Sequence, residues 1–157
     1  MHAQSRTLAR LLAFTATLAL MAALALMAAL ALPWTHSAHA QSAARSKVVF
    51  QVSDADPAKW NLTLNNVKNV QTDLGAANVD VEIVAYGPGL GMLKVDSVAG
   101  NRVAEALGAG VSVVACENTM KNQKVSRDDM LPKIGYVDAG VVQLMKRQQQ
   151  GWAYVRP

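Results

Sequence analysis

Runs of β-branched residues that alternate with capped or glycine-stopped helical segments constrain this chain more than any other feature. K-V-V-F-Q-V-S, residues 47–53, reads as a strand. D-A-D-P-A-K-W comes next, with Asp56 placed as an N-cap and Pro57 at the first helical position, so a helix begins there. Its apolar residues Trp60, Leu64, Val67, Val70 and Leu74 recur at spacings of 4, 3, 3 and 4, one stripe on a 3.6-residue period that Gly75 stops. V-D-V-E-I-V-A-Y, residues 79–86, alternates and then turns wholly apolar, as a strand buried toward its C-terminal end does. Residues 97–108, with Val98, Val103, Ala104, Ala106 and Leu107, predict a second helix, residues 111–115 a third strand, and residues 118–124 a short helix. I-G-Y-V gives a fourth strand, residues 139–150 an amphipathic helix, and W-A-Y-V-R a closing edge strand. In that last helix Val141, Val142, Leu144 and Met145 are expected inward, with Lys146, Arg147 and the three glutamines outward. The rhythm implies one α/β domain of three layers, a mainly parallel sheet of about five strands with helices on both faces.

The N-terminus is not part of that pattern. Arg6 and Arg10 precede an apolar run of 22 residues, Leu11 to Leu32, and Ala38-His39-Ala40 is a small-x-small cleavage site before Gln41. Residues 1–40 therefore read as a secretory signal peptide, residues 41–46 as a flexible lead-in, and residues 47–157 as the domain. About 20 apolar residues can span a bilayer, so a retained anchor is the alternative, and a membrane association is expected only in that case. Pro33 and the cleavage site favour removal between Ala40 and Gln41 and an exported, periplasmic-type location.

Export changes which residues count. Without Arg6 and Arg10 the chain keeps 13 Lys and Arg against 11 Asp and Glu, and no basic run is interleaved with aromatics, so nucleic acid is not an expected partner. His2, His36 and His39 all lie in the signal segment. A Ser-His-Asp triad, a Cys-His dyad and a His-bearing zinc site are thereby excluded within one mature chain, and neither a hydrolase nor a metalloenzyme is expected. A single cysteine excludes a CxxC pair and an intrachain disulfide.

That cysteine, Cys116, stands where V-S-V-V-A ends and the polar run E-N-T-M begins. At the carboxyl end of a strand in an open α/β sheet, side chains reach the crevice where ligands gather. Asn118 or Thr119 capping the next helix would bring N–H groups and a positive helix end near the sulfur and favour thiolate. Lys121 and Lys124 would add to this, and Glu117 would oppose it. The alternative is a buried, inert cysteine closing the strand, although an unpaired thiol in an oxidising compartment must be shielded or used. G-P-G-L-G, from Gly87 through Gly89 to Gly91, is either a plain strand-exit turn or a loop that approaches a ligand; its spacing matches neither a dinucleotide fingerprint nor a P-loop, which favours the turn.

G-V-S-V-V-A-C-E-N-T-M, with D-M-L-P and A-G-V-V-Q-L-M-K-R-Q-Q-Q-G-W-A-Y-V-R-P downstream and K-V-V-F-Q-V upstream, resembles the DsrE/DsrF-like family over residues 47–157. The resemblance implies a small α/β fold, assembly as a homo-oligomer such as a trimer or hexamer, and sulfur carriage as a persulfide on Cys116. It implies no cofactor and no metal, with small sulfur species or a thiol partner protein as the other party. Asn118, Thr119, Gly87 and Gly89 are the candidate ligand-binding residues. The competing expectation is an oligomeric binding or assembly module in which Cys116 is structural. A thiol–disulfide enzyme would need a resolving cysteine from another chain.

Overall fold

The computed structural model describes residues 45–157; residues 1–40, expected as a signal peptide, and residues 41–44 of the expected lead-in lie outside the described residues. Five strands form one sheet: β1 (Ser46–Val52), β2 (Val79–Ala85), β3 (Ser112–Cys116), β4 (Gly135–Val137) and β5 (Ala153–Val155). Four α-helices connect them: α1 (Pro57–Leu74), α2 (Gly100–Gly108), α3 (Glu117–Gln123) and α4 (Gly140–Gln149). The strand order is β4-β3-β2-β1-β5 and every pairing is parallel. The expected α/β sandwich of about five strands is therefore present, with β1 starting at Ser46, one residue before the expected Lys47.

The order explains the layers. From β1 to β4 the chain steps steadily in one direction, so right-handed crossovers put α1, α2 and α3 on one face; the return to β5 reverses direction and puts α4 on the other. Side-chain alternation agrees. Val48, Phe50, Val52, Val81, Ile83, Ala85, Val113 and Ala115 join Trp60, Leu64, Val67, Val103 and Met120 in the main core. Val49, Val84 and Val114 face the opposite way and meet Leu144 of α4.

Local chemistry sets the elements. Asp56 caps α1, its carboxylate accepting from the N–H of Ala58 at 2.8 Å, with Pro57 in the first turn. Trp60, Leu64 and Val67 are buried as the stripe predicts and Val70 packs against them, but Leu74 at the frayed end is 43 % exposed. The segment Gly87–Leu93 is a 3-10 helix that buries Leu90, Met92 and Leu93. The second helix begins at Gly100 rather than at residue 97, and Val98 is 79 % exposed.

The largest departure lies in α4. Gly140 and Leu144 are its buried residues, whereas Val141 and Met145, expected inward, are 61 % and 51 % exposed. Arg147, expected outward, points into the sheet. The cause is Glu82, fully buried in the middle of β2. A buried carboxylate needs a partner. Arg147 Nε donates to both Glu82 oxygens at 3.1 Å, its Nη2 donates to Oε2, and Gln143 Nε2 donates at 2.7 Å. The Arg147 guanidinium also stacks 4.5 Å over the Trp152 ring.

Candidate functional site

The crevice follows from the topology. β3 and β4 are neighbours, with Cys116 opposite Val137. The chain leaves β3 into α3 on one face and leaves β4 into α4 on the other. Adjacent strands whose exits part in this way open a crevice at their carboxyl ends, the usual ligand position in an open α/β sheet. Cys116 is the last residue of β3 and stands in that position.

Cys116 is itself the N-cap residue of α3, with extended φ and ψ of −80° and 113°. Neither Asn118 nor Thr119 takes the cap, as the sequence had suggested; both lie in the first helical turn. A residue at the N-cap directs its side chain toward the free N–H groups of that turn. The Cys116 side chain makes no capping hydrogen bond to them, and as a neutral thiol its proton has only a long contact, 3.9 Å, to the Asp138 carbonyl. That carbonyl also accepts from the Asn118 N–H at 3.1 Å, which ties the end of β4 to the start of α3.

Burial pushes the Cys116 thiol up, but the Thr119 hydroxyl and then the N–H groups of Gly140, Thr119 and Asn118 outweigh it and hold the thiol below its ordinary 9.0. The sulfur thus lies at the start of α3 and beside Asp138, two residues before α4 begins. Thr119 is oriented in turn. Its Oγ1 accepts from the Gly87 N–H at 2.9 Å, and the Gly87 carbonyl accepts from Gln123 Nε2 at 3.0 Å. With its oxygen engaged by Gly87, the hydroxyl proton is available to the sulfur. The thiol itself is 4 % exposed.

Of the predicted residues, Thr119 and Gly87 are joined by a hydrogen bond, and Cys116 stands three residues before Thr119 at the start of the same helix. Asn118 contributes its backbone, and its side chain is exposed. Gly89 is not at the sulfur: its backbone lies against the end of β1, where a Cβ would fall 2.3 Å from the Val52 carbonyl oxygen. That close approach accounts for Gly89 as a packing residue. Glu117 is held aside by an ion pair with Arg127, whose guanidinium stacks 4.2 Å over Tyr136. Lys121 and Lys124 are exposed and contribute nothing to the thiol's shift.

Gly140 escaped the sequence reading. A Cβ there would come within 2.9 Å of Tyr86 Cβ, so only glycine lets α4 start close enough to reach the sulfur. The available signal was a glycine opening an amphipathic helix behind an alanine, where Ser or Asp would ordinarily cap it. A separate groove of about 190 Å³ between α1 and α2 is lined by Leu64, Val67, Lys68, Gln71, Arg102 and Glu105. Two of its polar side chains are already engaged: Arg102 with Asn61 and Asn65, and Gln71 with the Ala109 carbonyl. Among the described residues no cluster of three His, Cys, Asp or Glu side chains is placed to hold a metal.

No family model matches the chain, and no curated protein does. Among solved structures, it is similar to the protein of unknown function MTH1491 from Methanobacterium thermoautotrophicum, at 38 % identity and a TM-score of 0.69, over 71 % of this chain and 99 % of that one. The conserved protein of unknown function BT1422 from Bacteroides thetaiotaomicron matches at 13 % identity and a TM-score of 0.56, over 71 % and 95 % of the two chains, a likeness of fold alone.

Proposed function

We propose that this chain, which belongs to the same family as the protein of unknown function MTH1491, is a sulfur carrier that holds a persulfide on Cys116. The observation that carries the reading is the place of Cys116, last residue of β3 and N-cap of α3 in the crevice between β3 and β4, where its surroundings hold the thiol below the ordinary 9.0. Such a setting stabilises thiolate, the nucleophilic form, and needs no histidine base. The thiolate attacks the outer sulfur of a donor persulfide R–S–SH. A Cys116 S–S bond forms, the donor S–S bond breaks, and its electron pair leaves with R–S⁻, so the step transfers sulfur without net oxidation. The N–H groups that favour the thiolate also suit the anionic persulfide, since both place negative charge at the helix starts.

The resemblance to the DsrE/DsrF-like family supports this reading, as does the signal segment, because an unpaired exported thiol must be shielded or used. Export to a periplasmic-type compartment and assembly as a homo-oligomer, trimer or hexamer, are parts of the same proposal. The Cys116→Ser variant tests it: incubated with polysulfide, it should gain no reducible sulfur, and full sulfur binding by the variant overturns the reading.

One observation favours a second reading, an assembly module with a structural cysteine. The thiol is 4 % exposed while Val141 and Met145 of α4 are turned outward. That reading expects Cys116 to resist alkylation until the protein unfolds, with light scattering reporting an oligomer that survives Cys116→Ala.

A further inference from the structure

Cys116 stands at the crevice end of β3, where a reactive thiol would, yet it is enclosed, so a reagent reaches it only if something moves. The two faces of the sheet are held very differently. On the first, α1 alone buries Trp60, Thr63, Leu64 and Val67, and α2, α3 and the 3-10 segment add to the same core. On the second, α4 is the sole helix among the described residues, and Gly140 and Leu144 are its only buried residues. Much of its remaining hold is polar, through Arg147 and Gln143 on Glu82. An element with so little buried apolar surface opens locally well before the whole fold does. Beyond its end lies Gly151, with φ at +80° and no atom within 4 Å of where a Cβ would sit, so the chain there has room to turn. Just before its start lies Asp138, whose carbonyl is the 3.9 Å contact of the sulfur, and Leu144 of α4 clusters with Val114, two residues before Cys116 in β3.

We infer that α4 is a hinged lid over Cys116, latched by the Glu82–Arg147 ion pair. When α4 lifts, the sulfur gains solvent; when it closes, Gly140 returns against Tyr86 and the thiol is sealed. Arg147 is in this sense a positioning residue that acts on Cys116 through the seat of its helix. The lid stands whether or not the thiol carries sulfur, since it concerns only how the sulfur is reached.

The test is the rate at which iodoacetamide alkylates the native mature protein at low urea, set beside global unfolding followed by circular dichroism. A lid exposes a fraction of the buried surface, so the logarithm of the rate should rise with urea at a slope well below the global one. The paired variant Glu82→Gln/Arg147→Gln, which removes the latch without stranding a charge, should alkylate at least ~10-fold faster than its own global unfolding allows. A slope equal to the global value overturns the lid, because the thiol then reacts only from the unfolded chain. A zero slope also overturns it, because nothing opens. So does a variant whose alkylation rises only with its global unfolding constant. Should the variant fail to fold, the wild-type slope decides alone.

Discussion

Among the side chains near the thiol, Thr119 is the one that lowers its pKa. Its oxygen is engaged by the Gly87 N–H, which leaves its proton for the sulfur. Thr119→Val keeps the shape and removes the donor, so it should raise the Cys116 pKa toward the ordinary 9.0. The pH dependence of alkylation reads this directly, and an unchanged pKa contradicts the assignment. The lowered value is also linked to stability. The folded protein binds the thiol proton less tightly than the unfolded chain does, so the stabilisation is fully present above 9.0 and is lost as pH falls through the lowered folded value. Urea midpoints of the wild type relative to Cys116→Ala should accordingly rise with pH across that window. Gly89 answers to sterics instead. Gly89→Ala places a methyl 2.3 Å from the Val52 carbonyl oxygen and should cost about 3 kcal/mol in urea unfolding. Cys116 and Thr119 were legible in the sequence because a strand ending in a polar, helix-opening run has few ways to place them. Gly140 was not, because it lies 24 residues further on and its role arises only once β4 brings α4 beside β3.

At the scale of elements, α4 shows where periodicity misleads. Val141, Val142, Leu144 and Met145 form an apolar set that points inward by pattern alone, yet only Leu144 is buried. The stripe that faces the sheet is Gly140, Gln143, Leu144 and Arg147. What decides between the two is Glu82, a carboxylate inside a central strand that no local rule on α4 reveals. Its presence in V-D-V-E-I-V-A was the available clue, since the helix covering that face must turn a cation inward. Arg147→Ala should therefore destabilise the fold by about 3–5 kcal/mol, leaving a buried charge unpaired. Glu82→Gln/Arg147→Gln should cost clearly less, and equal costs in urea titrations would contradict the pairing. The helix α1 was read correctly because a polar N-cap, an N1 proline, a single stripe and a stop glycine all agree.

At the scale of the molecule, the alternation of strands and helices was enough to give a parallel α/β sheet. The strand order was not in the sequence. It follows from the reversal after β4, which sends α4 to the face opposite α3 and opens the crevice holding Cys116. The ends of β3 and β4 then meet at Cys116, and the sulfur-carrier proposal rests on that placement. Intact mass spectrometry of the mature protein after exposure to polysulfide, with and without prior alkylation of the native thiol, tests it most directly. The account predicts a reducible gain of one or more sulfur masses on Cys116 that alkylation blocks. No adduct, in a thiol that resists alkylation until the protein unfolds, would contradict it.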